Sequence, residues 1–159
     1  GVDTVARVAK VAKMTMYRQF GSKSQLVVEC LDRLDIRYHD WFVAQVENSA
    51  VDPHDKLLAV FDVLDDWFHS LKFRGCAFIN ATVELADSRH LAKGPVLAHK
   101  RRNREYIQEL AEQCDLPDPQ ALARQIMLLV EGSIITALVQ RDVNAARDAK
   151  QEARTLLDR

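Results

Sequence analysis

Leu57, Phe61, Leu64, Phe68 and Leu71 recur at intervals of four, three, four and three residues. That rhythm gathers five apolar side chains on one side of an α-helix. Val60 and Trp67 widen the apolar face, as either a core helix or one wall of a ligand cavity would require. Asp52-Pro53 supplies the start, an N-cap followed by proline at the first helical position. The same pair returns at Asp118-Pro119, and Gly94-Pro95 marks a further start. Val27, Leu31, Leu34, Tyr38, Trp41 and Val46 keep helical spacing, so one long helix is expected from Ser22 to about Glu47. A short helix is expected over Ala81–Ala86 and a last one from about Val143 to Leu157. The expected fold class is all-α.

With 159 residues the chain makes one or at most two domains. No apolar run is expected to reach the roughly 18 residues that cross a membrane, and no signal peptide is visible. Cys30, Cys76 and Cys114 are odd in number and widely spaced, which suits reduced thiols in a cytoplasmic protein. His39, His54, His69, His90 and His99 form no i, i+4 pair, so neither a metal nor another cofactor is expected. Overall net charge is −1, yet residues 1–25 hold Arg7, Lys10, Lys13, Arg18 and Lys23 against Asp3 alone. Such an asymmetry is expected when one end of a molecule meets nucleic acid.

The basic end contains Met14-Thr-Met-Tyr-Arg-Gln-Phe-Gly-Ser-Lys23. Met16 and Phe20, four apart, can turn inward from one short helix and leave Thr15, Tyr17, Arg18 and Gln19 outside. Thr and Gln can bond base edges, Tyr and Arg can take phosphates, and Met14 can touch a thymine methyl. Gly21 ends the helix. Ser22 begins another with Gln25 three residues on, a capping-box spacing, and Lys23 lies in the new first turn.

Thr4, Val8-Ala9, Thr15-Met16-Tyr17, Phe20, Ser22-Lys23 and Leu26, in that order, resemble the DNA-binding end of the tetracycline-repressor (TetR) family. The resemblance implies a helix-turn-helix head at residues 1–25 and a helical effector-binding and dimerisation body at 26–159, about eight helices in all. Within the head it implies that Thr15 reads base edges, supported by Lys13, Met14, Arg18 and Gln19. Thr4, Tyr17 and Lys23 would fix the phosphate backbone. The family has a helix before this motif, whereas this sequence starts at Gly1. It also has a Gly-apolar-Ser turn between its second and third helices, where Ala12 here runs straight into Lys13. Val5, Val8, Ala9, Ala12, Met16 and Phe20 read as one unbroken stripe, and a straight helix cannot place a second helix in the groove. An omission of about three residues after Ala12 is therefore the expected explanation.

Beyond Asp118-Pro119, Leu122, Ile126, Leu129, Ile134 and Leu138 lie among further apolar residues that cover the helix nearly all round. Leu128, Ile135 and Val139 are among them. Such a helix must be buried nearly all round, and near the end of a chain self-association is the simpler account. Ala146, Ala149 and Ala153, with Leu156 beside them, make a small-residue stripe on the final helix. The resemblance implies that these two helices pair with their copies as a four-helix bundle.

The effector-pocket candidates are Phe61, Trp67, Phe78, Asn80, Met127 and Glu131. Phe73-Arg-Gly-Cys-Ala-Phe-Ile-Asn-Ala81 resembles a segment near the effector pocket in some of these regulators. Asn80 can cap the following helix or bond a ligand, with the cap favoured. Cys76 reads as a small buried group. Glu131, beside Gly132, would be costly to bury unpaired, so it is expected to meet an Arg across the subunit interface or else a cationic effector. His99, Lys100, Arg101, Arg102 and Arg104 form a basic run, read as a solvated face or as a seat for an anionic ligand.

The expected function is a homodimeric transcriptional repressor, released from a palindromic DNA operator by a small-molecule effector, with no membrane partner. A helical enzyme is the alternative, and His99 with Glu84 or Glu131 is all it could use. The other is an interaction module that does not bind DNA.

Overall fold

Local capping chemistry sets where the helices begin. In the computed structural model, which describes residues 1–85 and 90–158, Asp52 Oδ1 accepts from the His54 amide at 2.9 Å. Asp118 Oδ1 accepts from the Ala121 amide at 2.8 Å. Ser22 Oγ accepts from the Gln25 amide at 3.0 Å. Each bond satisfies an amide that the first helical turn would otherwise leave unpaired. The elements are α1 (Val2–Ala9), α2 (Lys13–Phe20), α3 (Lys23–Ser49), α4 (Pro53–His69), α5 (Ala77–Glu84), α6 (Lys93–Gln113), α7 (Pro119–Gln140) and α8 (Ala145–Leu157). No strand occurs among the described residues.

Helix α4 is the centre of the body. Leu57, Leu58, Val60, Phe61, Val63, Leu64 and Phe68 are all buried, and α4 packs on α3, α6, α7 and α8. Each such side chain contributes about 1.5–3 kcal/mol when fully removed from water. Leu71 is the exception to the expected stripe. The helix stops at His69, and Leu71 is 95% exposed.

The alanines of α8 serve this same core. Ala146, Ala149 and Ala153 are buried where α8 packs on α4 and α7 of its own chain. At the rim of that contact, Lys150 Nζ donates to Asp62 at 2.6 Å and Arg147 to Asp65 at 3.1 Å. Leu122, Ile126 and Ile134 of α7 are likewise inside the subunit, while Leu129, Leu138 and Leu156 are half-buried. The residues selected for a subunit interface thus face mostly inward. The apolar side chains left outside on α7 are Leu128, Ile135 and Val139, at 74%, 40% and 72% exposure.

By length and composition α7 could cross a membrane, contrary to the expectation that no segment would. Its apolarity has a local cause: α4, α6 and α8 cover it on one side.

Helix α5 begins at Ala77, one turn before the expected Ala81, and the expected last residue, Ala86, lies outside the described residues. Asn80 is therefore inside the helix and does not cap it. Its Nδ2 donates to the Arg74 carbonyl at 3.0 Å, tying α5 to the loop ahead of it. In that loop Gly75 has φ of 74°, and a Cβ added there would come within 2.6 Å of Leu138 Cδ2. The left-handed backbone favours glycine there, and an added Cβ would also have to displace the end of the Leu138 side chain. Gly75→Ala should lower stability by about 2 kcal/mol or more, read as a shift in the urea midpoint without change in slope.

Candidate nucleic-acid interface and its link to the body

The turn between α1 and α2 is complete, and no residue is missing from it. Lys10 adopts φ 56°, ψ 38°. Its amide donates to the Arg7 carbonyl at 3.2 Å, and the Val11 amide donates to the Ala6 carbonyl at 3.0 Å. These two bonds are a Schellman ending. Ala12 then turns extended, with ψ of 141°, and its carbonyl accepts from the Thr15 amide at 2.9 Å. Lys10-Val11-Ala12 thus occupies the place of Gly-apolar-Ser, which corrects both the straight-helix reading and the expected omission. Sequence inspection misses it because neither marker residue is present. Lysine takes the left-handed position without glycine's freedom, and Ala12 offers no side chain to cap α2.

With the turn in place, α2 presents the surface that its spacing predicts. Met16 is buried and Phe20 half-buried. Thr4, Lys13, Met14, Thr15, Tyr17, Arg18, Gln19 and Lys23 are all exposed. The head is thinly packed: Ala6 and Met16 are its buried residues, while Val5 and Val8 of the expected stripe lie outside. Lys13 Nζ reaches Asp3 at 2.9 Å, bracing α1 against α2. That hydrogen bond lowers the Asp3 carboxyl and raises the Lys13 ammonium from their ordinary pKa values. Arg7, Lys10, Arg18 and Lys23 have no carboxylate within 4 Å among the described residues. Helix α2 ends at Gly21, φ 73°, and Ser22 opens α3, which runs without a break from the head into the body.

Where α3 meets α6 lies a buried polar cluster that sequence reading did not find. Asp35 and His99 are 5% and 2% exposed. His99 Nδ1 donates to Asp35 Oδ1 at 2.7 Å, and Arg102 approaches the other oxygen at 3.3 Å. Asn103 Nδ2 lies 3.2 Å from His99 Nε2, so the ring accepts there and is neutral. Phe78 stacks on the ring at 3.6 Å, and Tyr38 meets its edge at 5.4 Å. Burial pushes the His99 imidazole below its ordinary value, against the upward pull of the Asp35 hydrogen bond. A signal was available. Leu31, Asp35, Tyr38 and Phe42 share one side of α3, and His99, Asn103, Tyr106 and Leu110 one side of α6. A charge on an apolar stripe implies a partner on the facing helix.

The effector-pocket candidates do not converge on one cavity. Phe61 is fully buried in the α4 core. Trp67 packs on Phe73 at 5.0 Å and Tyr38 at 6.3 Å, and Phe78 covers His99. Asn80 is engaged by its loop. Met127 and Glu131 instead line an open groove between α6 and α7. Glu131 pairs with Lys100 of its own chain at 3.2 Å. His99 likewise pairs with Asp35 and not with Glu84 or Glu131.

An exposed short helix following another across a tight turn, with several cations that meet no carboxylate among the described residues, is the arrangement of a helix-turn-helix DNA-binding regulator. No family model matches the chain. SCO4454, a TetR-family transcriptional regulator from Streptomyces coelicolor, superposes with a TM-score of 0.88 at 28% identity, over 99% of this chain and 83% of that one. A TetR-type regulator (sav143) from Streptomyces avermitilis superposes at 0.80 with 25% identity, over 97% and 87%. Escherichia coli NemR in its reduced form shares the fold at 0.87 with 18% identity, over 98% and 84%. The HTH-type transcriptional regulator YjdC of Escherichia coli is 25% identical over 132 residues, 81% of this chain and 69% of its own. Motif, fold and relatives together make the chain similar to TetR-family transcriptional regulators, and these relatives support a DNA-binding regulator and not an enzyme.

Two outcomes follow from this geometry. Lys10→Gly and Ala12→Ser should each stabilise the head by about 0.5–1 kcal/mol, seen as slower amide exchange in α1 and α2. His99, neutral when folded, adds stability above the ordinary imidazole value near 6.5. Below it the unfolded chain takes up the proton first, so stability should fall as pH drops from 6.5 towards the lowered folded value. His99→Ala should remove that dependence from unfolding curves. It should also cost about 2–3 kcal/mol by stripping a donor from the buried Asp35.

Proposed function

We propose that the protein works as a homodimer that grips a roughly palindromic operator, one α2 in each of two successive major grooves. The observation that carries this is the outward display of the eight candidate DNA-contact side chains on a head in which Met16 and Phe20 of α2 turn inward. Thr15 contacts base edges, supported by Lys13, Met14, Arg18 and Gln19, while Thr4, Tyr17 and Lys23 hold phosphates. Residues 1–25 form the reading head, and 26–159 the body that senses a small molecule and dimerises. The subunit contact centres on Leu128, Ile135 and Val139, which with Gly132 are spaced four, three and four along the exposed side of α7. Ligand binding changes the spacing of the two heads from the roughly 34–36 Å that adjacent half-sites require, and repression is relieved. The ligand acts only as far as it favours the non-binding state.

The test is duplex binding by fluorescence anisotropy at several salt concentrations. The protein should bind random duplex at low salt with steep salt dependence. Tyr17→Ala and Lys23→Ala should each weaken it about tenfold, roughly 1.4 kcal/mol. Ile135→Glu should yield monomers by light scattering and lose tight operator binding. No duplex affinity at low salt would overturn the reading.

A further inference from the structure

We infer that Lys10, in the turn between α1 and α2, holds a DNA phosphate, a contact outside the eight named above. The inference rests on the DNA-binding reading of the head. Lys10 takes φ 56° and ψ 38°, a conformation in which glycine is at ease and lysine is strained. The turn itself makes no use of the lysine side chain. It is closed by the Lys10 amide on the Arg7 carbonyl and the Val11 amide on the Ala6 carbonyl. Favourable charge at the C-terminal end of α1 is already supplied by Arg7 in its last turn. Lys10 is exposed and meets no carboxylate within 4 Å among the described residues. Strain kept at an exposed, unpaired cation points to a use outside the subunit.

Position supplies that use. A recognition helix reads base edges with its N-terminal residues, in a major groove about 12 Å wide. A helix with its side chains is about 10–12 Å across, so it fills the groove. The chain leading into it must then pass the rim, where the phosphates stand. Lys10 lies three residues ahead of Lys13, the first residue of α2, hence within roughly 11 Å of it between Cα atoms. Every residue from Lys10 to Thr15 is exposed. Lys13 shares its ammonium with Asp3 at 2.9 Å. Lys10 is therefore the nearest cation ahead of α2 in sequence whose charge is unanswered. A compact ammonium on a flexible stem suits a single phosphate.

Fluorescence anisotropy of the full-length protein on two duplexes of unrelated sequence, across about 50–200 mM salt, tests the assignment. Lys10→Gly and Lys10→Asn both suit the left-handed turn and both remove the charge. Each should weaken binding about threefold or more on both duplexes alike. Each should also flatten the slope of log affinity against log salt by about 0.9 for every head engaged. Lys10→Gly should melt no lower than wild type, so that affinity falls while stability does not. Lys10→Arg, which keeps the charge, should bind like wild type. A merely structural lysine predicts the opposite, with Lys10→Gly leaving affinity unchanged or raising it. Wild-type affinity and salt slope in Lys10→Gly and Lys10→Asn would overturn the proposal. So would a Lys10→Arg protein as weak as Lys10→Gly, or a loss confined to one duplex, which would assign Lys10 to a base edge. Absence of duplex affinity in the wild type would overturn the DNA-binding reading and this proposal together. Normal wild-type binding with indifferent Lys10 variants would overturn this proposal alone.

Discussion

The hydrogen bond from His99 to Asp35 adds a directional tie to the apolar packing that joins α3 to the body. Asp35 lies near the middle of α3, and α3 is the continuous path from the head to the body. A carboxylate buried there is tolerated only because an imidazole N–H and a guanidinium from α6 meet its two oxygens. Apolar packing alone would let α3 slide or rotate against α6 at small cost, whereas a buried ion with directional partners fixes one register. Further along the same helix pair, the Tyr106 hydroxyl donates to Glu47 at 3.0 Å, a second pin. The head is held at a defined angle because α3 is.

Features set by neighbours in sequence were readable from the letters. Asp52, Asp118 and Ser22 cap helices because the bond spans only two or three residues. The inward turn of Met16 follows from a single helical period. What escaped reading was set by distance or by exception. Asp35 and His99 are 64 residues apart, and no local rule links them. The stripe expected on α3 placed Leu34 and Trp41 inward, yet they are 39% and 40% exposed. The helix had rotated to bury Asp35 and Phe42 instead. On α8, alanine spacing established that something approaches closely but not what. The answer is α4 of the same chain.

The turn of the reading head was illegible for a different reason. A left-handed residue costs a lysine roughly 1 kcal/mol more than a glycine, and an N-cap without an oxygen forgoes a comparable amount. Sequence rules search for residues that avoid those costs, and here both were accepted. Two backbone bonds at the end of α1 and the Ala12 carbonyl at the start of α2 define the bend without them. The candidate DNA contacts were recoverable all the same, because exposure on α2 depends on its own period and not on how the turn is made.

Gly132 sits midway along α7, and a Cβ built there meets nothing within 4 Å in the subunit. A glycine in mid-helix weakens that helix by about 1 kcal/mol relative to alanine, and no contact inside the subunit returns the loss. The lone chain therefore carries a glycine at the centre of the exposed apolar strip of Leu128, Ile135 and Val139. In the dimer proposed above, contact between two such strips would offset that loss, so that helix stability and pairing would be linked.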